Sequence, residues 1–346
     1  MQMETLAIVR PPFTGDQKLA SRLLKGFSNT SHGVAMYSSP EVCAMSGEDL
    51  SGTTLLVVSP GQCIEASGDV PAFLSKVTSA KKRILASVGP VDSAWYARRL
   101  RKGITFDAVL DLGFAPQGER HSEVSSVPYY FVFNGPTRDE EPLAKEPAQA
   151  GERSIPWVLV GPKNDKNRHL LAELFEHGVD PGGFCLLHAR LKNMGAPGPM
   201  LGGPQFSAVL SKSKYYLWGA DRDVPYYESF CFIEPLLAGA VPCKIDPDLA
   251  SQGPDIPGVY PSVGAFLTEV RHMGYRAMYR RARDFYVSRG RLADHLSEAL
   301  RLVLGQDTAE RRSHRVLRPR QPGFQQSLQR EQRRERRNDL YFELEP

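Results

Sequence analysis

The sequence predicts an α/β protein with two mostly parallel sheets, and three observations carry this prediction. Short apolar runs alternate with segments whose apolar residues recur at helical spacing, a pattern typical of a parallel sheet with helices on both faces. A polar stretch rich in proline, glutamate and alanine, residues 135–154, separates two such series. The chain has 346 residues, which is long for one domain and comfortable for two. We therefore expect two Rossmann-like domains joined by a linker.

The first series covers residues 1–134. It opens with the apolar run Thr5–Val9, and a helical stripe follows between Leu19 and Phe27. The other strand candidates of this series are Gly33–Tyr37, Thr53–Ser59, Arg83–Val88, Ala108–Leu112 and Tyr129–Phe133. Helical patterns lie between several of them, at Val70–Val77 and Ser93–Leu100.

The second series covers residues 155–310. It begins with the strand Pro156–Val160, followed by a helix over Lys166–His177 that Gly178 closes. The further strand candidates are Phe184–His188, Lys214–Trp218 and Val241–Ile245. A late helix has a stripe of apolar residues from Leu292 to Leu304 and ends at Gly305.

Composition limits the class of protein. Hydrophobic residues make up 41% of the chain and charged residues 24%, which is typical of a globular protein with buried cores. The sequence contains no run of about twenty apolar residues, so it predicts no membrane-spanning helix. The N-terminus does not have the pattern of a secretory signal. The five cysteines are an odd number without paired spacing, which argues against a disulfide framework and against a cysteine-rich zinc site. We expect a cytoplasmic protein, with peripheral contact to a membrane left open.

The C-terminal tail, residues 311–346, is rich in arginine. Ten arginines lie between residues 311 and 337, although the net charge of the whole chain is only +4. Because glutamates alternate with these arginines, the pattern favours a solvated helix, which residues 340–342 would anchor to the first domain. The alternative is an arginine patch that binds an anionic partner, either membrane lipid or nucleic acid.

Four loops are candidates for a binding site, because ligands of open α/β sheets bind beyond the carboxyl ends of the strands. They cover residues 10–18, 161–166, 219–229 and 246–253. In the second of these loops, Gly161, Lys163 and Lys166 stand between a strand and the start of a helix. Backbone N–H groups at a helix N-terminus, together with two lysines, suit a diphosphate. The alternative is an ordinary polar loop with solvated lysines.

Two glutamates stand just ahead of the strand Val241–Ile245. A carboxylate at this strand–helix junction can accept hydrogen bonds from the vicinal hydroxyls of a ribose, which predicts this role for Glu228 and Glu234. Ser229 would cap the following helix and offer a backbone N–H to phosphate, and Gly239 would end that helix. The alternative for Glu234 is an ion pair with a lysine on a helix face.

The stretch from Glu228 to Pro242, with the sequence ESFCFIEPLLAGAVP, resembles the donor-binding domain of GT-B glycosyltransferases. The segment from Lys214 to Pro242 is also similar to fucosyltransferases and exostosin-like transferases. This resemblance implies two Rossmann-like domains facing across a cleft, with Lys163 and Lys166 on the donor diphosphate. It also implies transfer of a hexose or deoxyhexose from a nucleotide sugar to a hydroxyl, with no cofactor and no metal requirement. Two Asp-x-Asp tripeptides, at residues 221–223 and 246–248, do not predict a metal site, because chance supplies about one such tripeptide in a chain of this size.

The resemblance places the acceptor and any catalytic base on the first domain. An inverting transfer needs a base for the acceptor hydroxyl, and Asp16 or, less well placed, His32 would supply it; a retaining transfer needs none. The alternatives are a helix N-cap for Asp16 and a turn residue for His32. The acceptor stays open between a glycan, a lipid, a nucleic acid and a small molecule. Two other functions also stay open: a nucleotide-sugar epimerase of the same fold, and a non-catalytic protein that binds an anionic partner through the arginine tail.

Overall fold

The computed structural model describes residues 5–12, 14–28, 30, 33–88, 103–113, 127–140, 153–188, 203–219, 225–253 and 256–305. The predicted helix Ser93–Leu100 and the tail 311–346 lie outside these ranges. Within them, no helix combines the length and the hydropathy needed to cross a membrane.

The first sheet has six parallel strands in the order β2-β1-β3-β4-β5-β6. The strands are β1 Thr5–Arg10, β2 Gly33–Ser38, β3 Thr53–Val58, β4 Lys82–Ser87, β5 Ala108–Asp111 and β6 Tyr129–Phe131. All six strand predictions for this half are confirmed, with ends that differ by at most two residues. The helices described in this half are α1 Thr14–Phe27, α2 Ser39–Ala44, α3 Gly47–Ser51, α4 Pro60–Ala66 and α5 Val70–Ser79.

Both faces of the first sheet are buried, which explains why its strands are continuous apolar runs. In β1, Leu6 and Ile8 face one core, whereas Ala7 and Val9 face the other. The helix α1 covers the first of these cores, and α5 contributes Phe73 to the second.

The second sheet has five parallel strands in the order β11-β10-β9-β7-β8. The strands are β7 Ile155–Pro162, β8 Phe184–His188, β9 Ser213–Gly219, β10 Val241–Ile245 and β11 Val259–Tyr260. The helices described in this half of the sequence are α6 Asp165–Glu176, α7 Gly203–Lys212, α8 Ser229–Leu237, α9 Pro247–Ser251, α10 Val263–Ser288 and α11 Leu292–Gly305. The structure thus confirms the α/β class and the two parallel sheets.

The long helix α10 is divided at Gly274, whose φ of 71° and ψ of 165° are not helical. After this break, the Tyr275 hydroxyl donates a hydrogen bond to the carbonyl of Gly239, at the end of α8. Further along α10, the Tyr286 ring packs against Phe232, near the start of α8. The second part of α10 therefore runs antiparallel to α8 and leads the chain back to the first sheet.

The last described helix, α11, packs in the core of the first sheet. Its residues Leu292, Leu296 and Leu300 are buried in the same cluster as Leu19 and Leu23 of α1. The sequence predicts residues 292–305 as part of the second domain, because an apolar stripe does not show which sheet a helix covers. The observed packing places this helix on the other half of the molecule.

The chain crosses between the two halves at neighbouring places. At the first crossing, Val132 is buried in the core of the first sheet and Phe133 in the core of the second. At the second crossing, the backbone N–H of Leu292 donates to the carbonyl of Pro136 at 3.2 Å. A side chain at Gly135 would clash with the carbonyl of Gly290, so these two segments touch closely. The two crossings therefore form one junction between the two halves.

Candidate functional site

The topology of both sheets directs attention to the carboxyl ends of their strands. In the first sheet, β2 and β3 flank β1, so the connections leave β1 on opposite sides. In the second sheet, β8 and β9 flank β7 in the same way. Such reversals of strand order open a crevice at the carboxyl edge, where ligands of this class of sheet bind.

The loop after β7 is built around Asn167. Its backbone N–H donates to the side chain of Asn164, the N-cap of α6, at 2.8 Å. A Cβ atom on Gly161 would lie 2.7 Å from the Asn167 amide nitrogen, and one on Gly219 would lie 3.2 Å from its amide oxygen. The glycines therefore allow the first turn of α6 to pack against the ends of β7 and β9.

Lys163 and Lys166 are both exposed at this end of α6. A diphosphate there would meet two ammonium groups and the positive end of a helix. Their role as diphosphate ligands stays a prediction, because solvated lysines have the same geometry.

Glu228 is held by two donors from neighbouring strands. Its Oε2 accepts hydrogen bonds from Lys244 Nζ at 2.6 Å and from Trp218 Nε1 at 3.0 Å. Lys244 is only 1% exposed, and it also donates to the carbonyl of Tyr226 at 2.6 Å. The Oδ2 of Asp246 is 3.6 Å from the same ammonium group. The carboxyl ends of β9 and β10 thus fix this glutamate at the start of α8.

Sequence reasoning missed Lys244, although a signal was present. A lysine between Cys243 and Ile245 interrupts an otherwise apolar strand. Charged side chains are rarely buried unless they are paired, so such a lysine predicts a buried acidic partner.

Burial also keeps the neighbouring thiol and phenol groups protonated. It raises the pKa of the Cys231 thiol, in the first turn of α8, well above its ordinary value, and the charge of Glu228 adds to this effect. Burial likewise raises the pKa of Tyr227 far above its ordinary value. Cys231 is therefore a neutral thiol at physiological pH and not a thiolate nucleophile.

Ser229 does not cap α8, so that part of the prediction was wrong. The N-cap residue is Glu228, which makes no side-chain capping bond, and Ser229 is the first residue of the helix. The Ser229 hydroxyl is buried and accepts a hydrogen bond from the Asn134 amide at 2.9 Å. It therefore connects α8 to the junction between the two halves.

Glu234 reaches across the cleft. Its Oε1 lies 2.7 Å from the Nζ of Lys18 on α1, and both side chains are partly exposed. The alternative that the sequence indicates for Glu234 is an ion pair with a lysine on a nearby helix face. The actual partner is 216 residues away, in the other half of the molecule.

A second contact between the halves centres on Asp111, at the carboxyl end of β5. This fully buried carboxylate accepts hydrogen bonds from the hydroxyl of Tyr226 at 2.7 Å and from the N–H of Gly113 at 2.6 Å. The hydroxyl of Tyr129 donates to it as well. Tyr226 stands two residues before Glu228, so the loop that makes this contact leads directly into α8, which carries Glu234.

The carboxyl end of β3 shows a further feature that the sequence did not predict. Ser59, with a φ of 51°, is the one non-glycine residue with a left-handed backbone in the part of the chain that the structure describes. Three residues later, the buried side-chain oxygen of Gln62 has no hydrogen-bond partner among the residues that the structure describes. Backbone strain and unsatisfied buried polar atoms are enriched at functional sites.

The roles of the two candidate bases stay predictions. Asp16 is the third residue of α1, so it is not that helix's N-cap, and its side chain lies outside the described residues. His32 also lies outside them. Of the two Asp-x-Asp tripeptides, residues 221–223 are not described either, while Asp246 caps α9 by accepting from the N–H of Leu249 at 3.0 Å. A search of the described ranges finds no cluster of three His, Cys, Asp or Glu residues that could hold a metal ion.

Comparison with known proteins identifies the arrangement of the two sheets. No protein-family model matches the sequence, and no curated protein matches it. The structure is similar to that of an alpha-glucosyltransferase in complex with UDP-glucose and DNA containing an abasic site. The TM-score is 0.55 at 9% sequence identity, over 87% of this chain and 98% of the other. The chain has the GT-B fold.

In a GT-B fold, the carboxyl edges of the two sheets face each other across the cleft. The contacts Lys18–Glu234 and Asp111–Tyr226 span that cleft. Glu228 lies on its second-domain side, between the residues that make these two contacts. Of the predicted site residues, Glu228 therefore stands at the N-cap of α8 and Glu234 within that helix, whereas Lys163 and Lys166 follow β7 of the same sheet.

Proposed function

We propose that this protein is a glycosyltransferase that moves a hexosyl or deoxyhexosyl group from a nucleotide sugar to a hydroxyl of an acceptor. One observation carries the proposal. Glu228 and Glu234 lie at the cleft of a GT-B fold, and the similar solved structure is a glucosyltransferase with UDP-glucose bound. Carboxylates at that place suit the hydroxyl groups of a nucleotide sugar.

In this proposal, Lys163, Lys166 and the N-terminus of α6 bind the diphosphate. Charge builds up on the diphosphate as the bond to the sugar breaks, and fixed positive groups stabilise it. Such groups can serve in place of a metal ion, which is why the proposal needs no metal.

The acceptor belongs to the first domain in this proposal. If the transfer inverts the anomeric centre, Asp16 in the first turn of α1 is the candidate base, with His32 as the second candidate. A base must lie within hydrogen-bond reach of the acceptor hydroxyl. Loss of turnover without loss of donor binding in Asp16→Asn would support this role.

The proposal is tested with a thermal-shift panel of UDP-, GDP-, ADP-, CMP- and dTDP-sugars. A ligand that binds only the folded state stabilises it by about 2.7 kcal/mol at a hundredfold excess over Kd. We expect one nucleotide to raise the Tm of the wild type and to lose most of this effect in Glu234→Gln. Glu298→Gln is the matched control, since Glu298 also pairs with a basic side chain, Arg301, but on α11. No shift with any of the five nucleotide sugars would contradict the proposal.

Glu234→Gln removes the ion pair with Lys18 as well as the carboxylate, so the change in Tm without ligand is not informative. The comparison is between the ligand-induced shifts of the variants. Hydrolysis or interconversion of the sugar without any acceptor would instead indicate an epimerase or a hydrolase.

DNA is the acceptor that we test first. The similar solved structure contains DNA, and this chain has a net charge of +4 with its arginines concentrated toward the C-terminus. We expect transfer of radiolabelled sugar to DNA, together with DNA binding that weakens steeply as salt increases. Salt-dependent binding without transfer in the presence of every donor would favour the alternative of a non-catalytic binding protein.

A further inference from the structure

Lys244 stands at the centre of a buried polar cluster. Its ammonium group has three oxygen neighbours: Glu228 Oε2 at 2.6 Å, the carbonyl of Tyr226 at 2.6 Å and Asp246 Oδ2 at 3.6 Å. The Tyr227 ring lies 6.0 Å from it. A buried ammonium with this many acceptors has few other positions available, so it is a rigid point in the site.

The two oxygens of the Glu228 carboxylate have different surroundings. Oε2 accepts from both Lys244 and Trp218, whereas Oε1 makes no hydrogen bond with any residue that the structure describes. Oε1 is nevertheless not sealed off, because the Glu228 side chain is 25% exposed and this oxygen is not among the buried atoms without a partner. One oxygen is therefore fixed inside the protein and the other faces outward.

We propose that Lys244 is a positioning residue for donor binding, which acts through Glu228. By holding Oε2, it aims the free Oε1 at a hydroxyl of the nucleotide sugar. Trp218 supports the same orientation from the adjacent strand through its indole N–H. The inference rests on the proposed function, since it names how one of the donor-site carboxylates is oriented.

The physical reason is that a glutamate loses side-chain entropy when it binds a hydroxyl in one fixed geometry. Lys244 and Trp218 have already restricted that side chain in the folded protein, so less of this cost falls on donor binding. Lys244 itself, only 1% exposed, has almost no surface with which to contact a ligand.

A double-mutant cycle tests whether Lys244 acts through Glu228. UDP-glucose is titrated calorimetrically into the wild type, Lys244→Met, Glu228→Gln and the double variant, and urea denaturation checks that each is folded. We expect Lys244→Met to weaken UDP-glucose binding about tenfold in the wild type and less than about twofold in Glu228→Gln. Equal effects in the two backgrounds, or no effect in either, would overturn the inference. Lys82→Met is the control, because Lys82 also donates to a backbone carbonyl, that of Val303 at 2.8 Å, but in the first sheet.

Two further measurements keep the inference testable if Lys244→Met does not fold or if UDP-glucose does not bind. Trp218→Phe removes one of the two donors to Oε2 without leaving a charge unpaired, and it should weaken binding by a smaller factor that again disappears in Glu228→Gln. A crystal structure of the Lys244→Met/Asp246→Asn variant without ligand should show the Glu228 carboxylate displaced. A Glu228 carboxylate in its original position would overturn the inference, whether or not UDP-glucose binds. Absence of UDP-glucose binding by the wild type, in contrast, counts against the proposed donor and not against this geometry.

Discussion

Lys18 and Glu234 form an ion pair of 2.7 Å that connects α1 of the first sheet to α8 of the second. Because both side chains are partly exposed, the pair lies where the cleft opens to solvent. A donor hydroxyl that binds Glu234 must share this carboxylate with Lys18 or displace it. If the proposed donor binds Glu234, the occupancy of the site and this contact between the two sheets are therefore coupled.

Removal of the Lys18 ammonium group, which competes with the donor for Glu234, should tighten donor binding. We expect Lys18→Met to tighten donor binding by about two- to threefold, in the range that loss of a partly exposed ion pair can supply. The free energy of unfolding should change by less than about 1 kcal/mol for the same reason. Calorimetric titration and urea denaturation measure the two quantities. Weaker donor binding in Lys18→Met would show instead that Lys18 is itself a ligand of the donor.

Arg22 should be far more important for stability than the other basic residues of α1. It is buried, donates to both oxygens of Glu140, and also donates to the hydroxyl of Tyr286 at 2.7 Å. Arg22→Met leaves Glu140 without its counter-charge, and we expect a loss of about 3–5 kcal/mol in the free energy of unfolding. On the same helix, the exposed pair Lys25–Asp139 is the control, for which Lys25→Met should cost less than about 1 kcal/mol. Similar costs in urea denaturation for the two variants would refute this assignment.

The same cluster predicts how stability depends on pH. Burial raises the pKa of Glu140, but hydrogen bonds from Arg22 and its charge outweigh burial and lower that pKa below the ordinary value. A carboxylate with a lowered pKa stabilises the fold fully above the unfolded pKa of about 4.3, and this contribution is lost as the pH falls through the folded pKa. We expect the wild type to lose more stability than Glu140→Gln between about pH 5 and pH 3. Parallel pH profiles of the two proteins in urea denaturation would contradict the prediction.

Gly113 should be intolerant of a side chain because of Tyr226. A Cβ atom there would lie 2.9 Å from Asp111 Oδ1 and would clash with the Tyr226 hydroxyl. We expect Gly113→Ala to lower the free energy of unfolding by about 1–3 kcal/mol, the range for overpacking, and to do so less in a Tyr226→Ala background, which removes the whole ring. Gly52→Ala is the control, since a Cβ atom added at Gly52 would meet nothing within 4 Å among the residues that the structure describes. An equal cost of Gly113→Ala in both backgrounds would place the clash elsewhere.

The strands were predictable from sequence because parallel strands buried on both faces are short apolar runs. Val241–Ile245 is an example, and Gly239 with its φ of 86° marks the turn before it. Strand β11 has only two residues, too few to make a pattern. The sequence did not predict the helix α10, because arginines interrupt its apolar face and Gly274 interrupts its helical conformation.

The candidate site was predictable in part, for a different reason. Glu228 and Glu234 stand in a local stretch whose composition indicates a strand–helix junction, so one segment of sequence was enough to select them. Lys18 could not be selected in this way, because it meets Glu234 only when the two sheets face each other. Lys244 could have been selected, since a charged residue in an apolar strand is a local signal, but its particular partners depend on the loop that folds over it.

The return of α11 to the first sheet has a consequence for synthesis. Vectorial synthesis usually lets an N-terminal domain become native first. Here the first sheet obtains the helix that carries Leu292, Leu296 and Leu300 only after residue 305 has been translated. The second sheet is complete before that point, since its strands end at residue 260. The half of the molecule that leaves the ribosome first is therefore the half that finishes folding last, and a nascent chain stalled before α11 would expose the apolar face of α1.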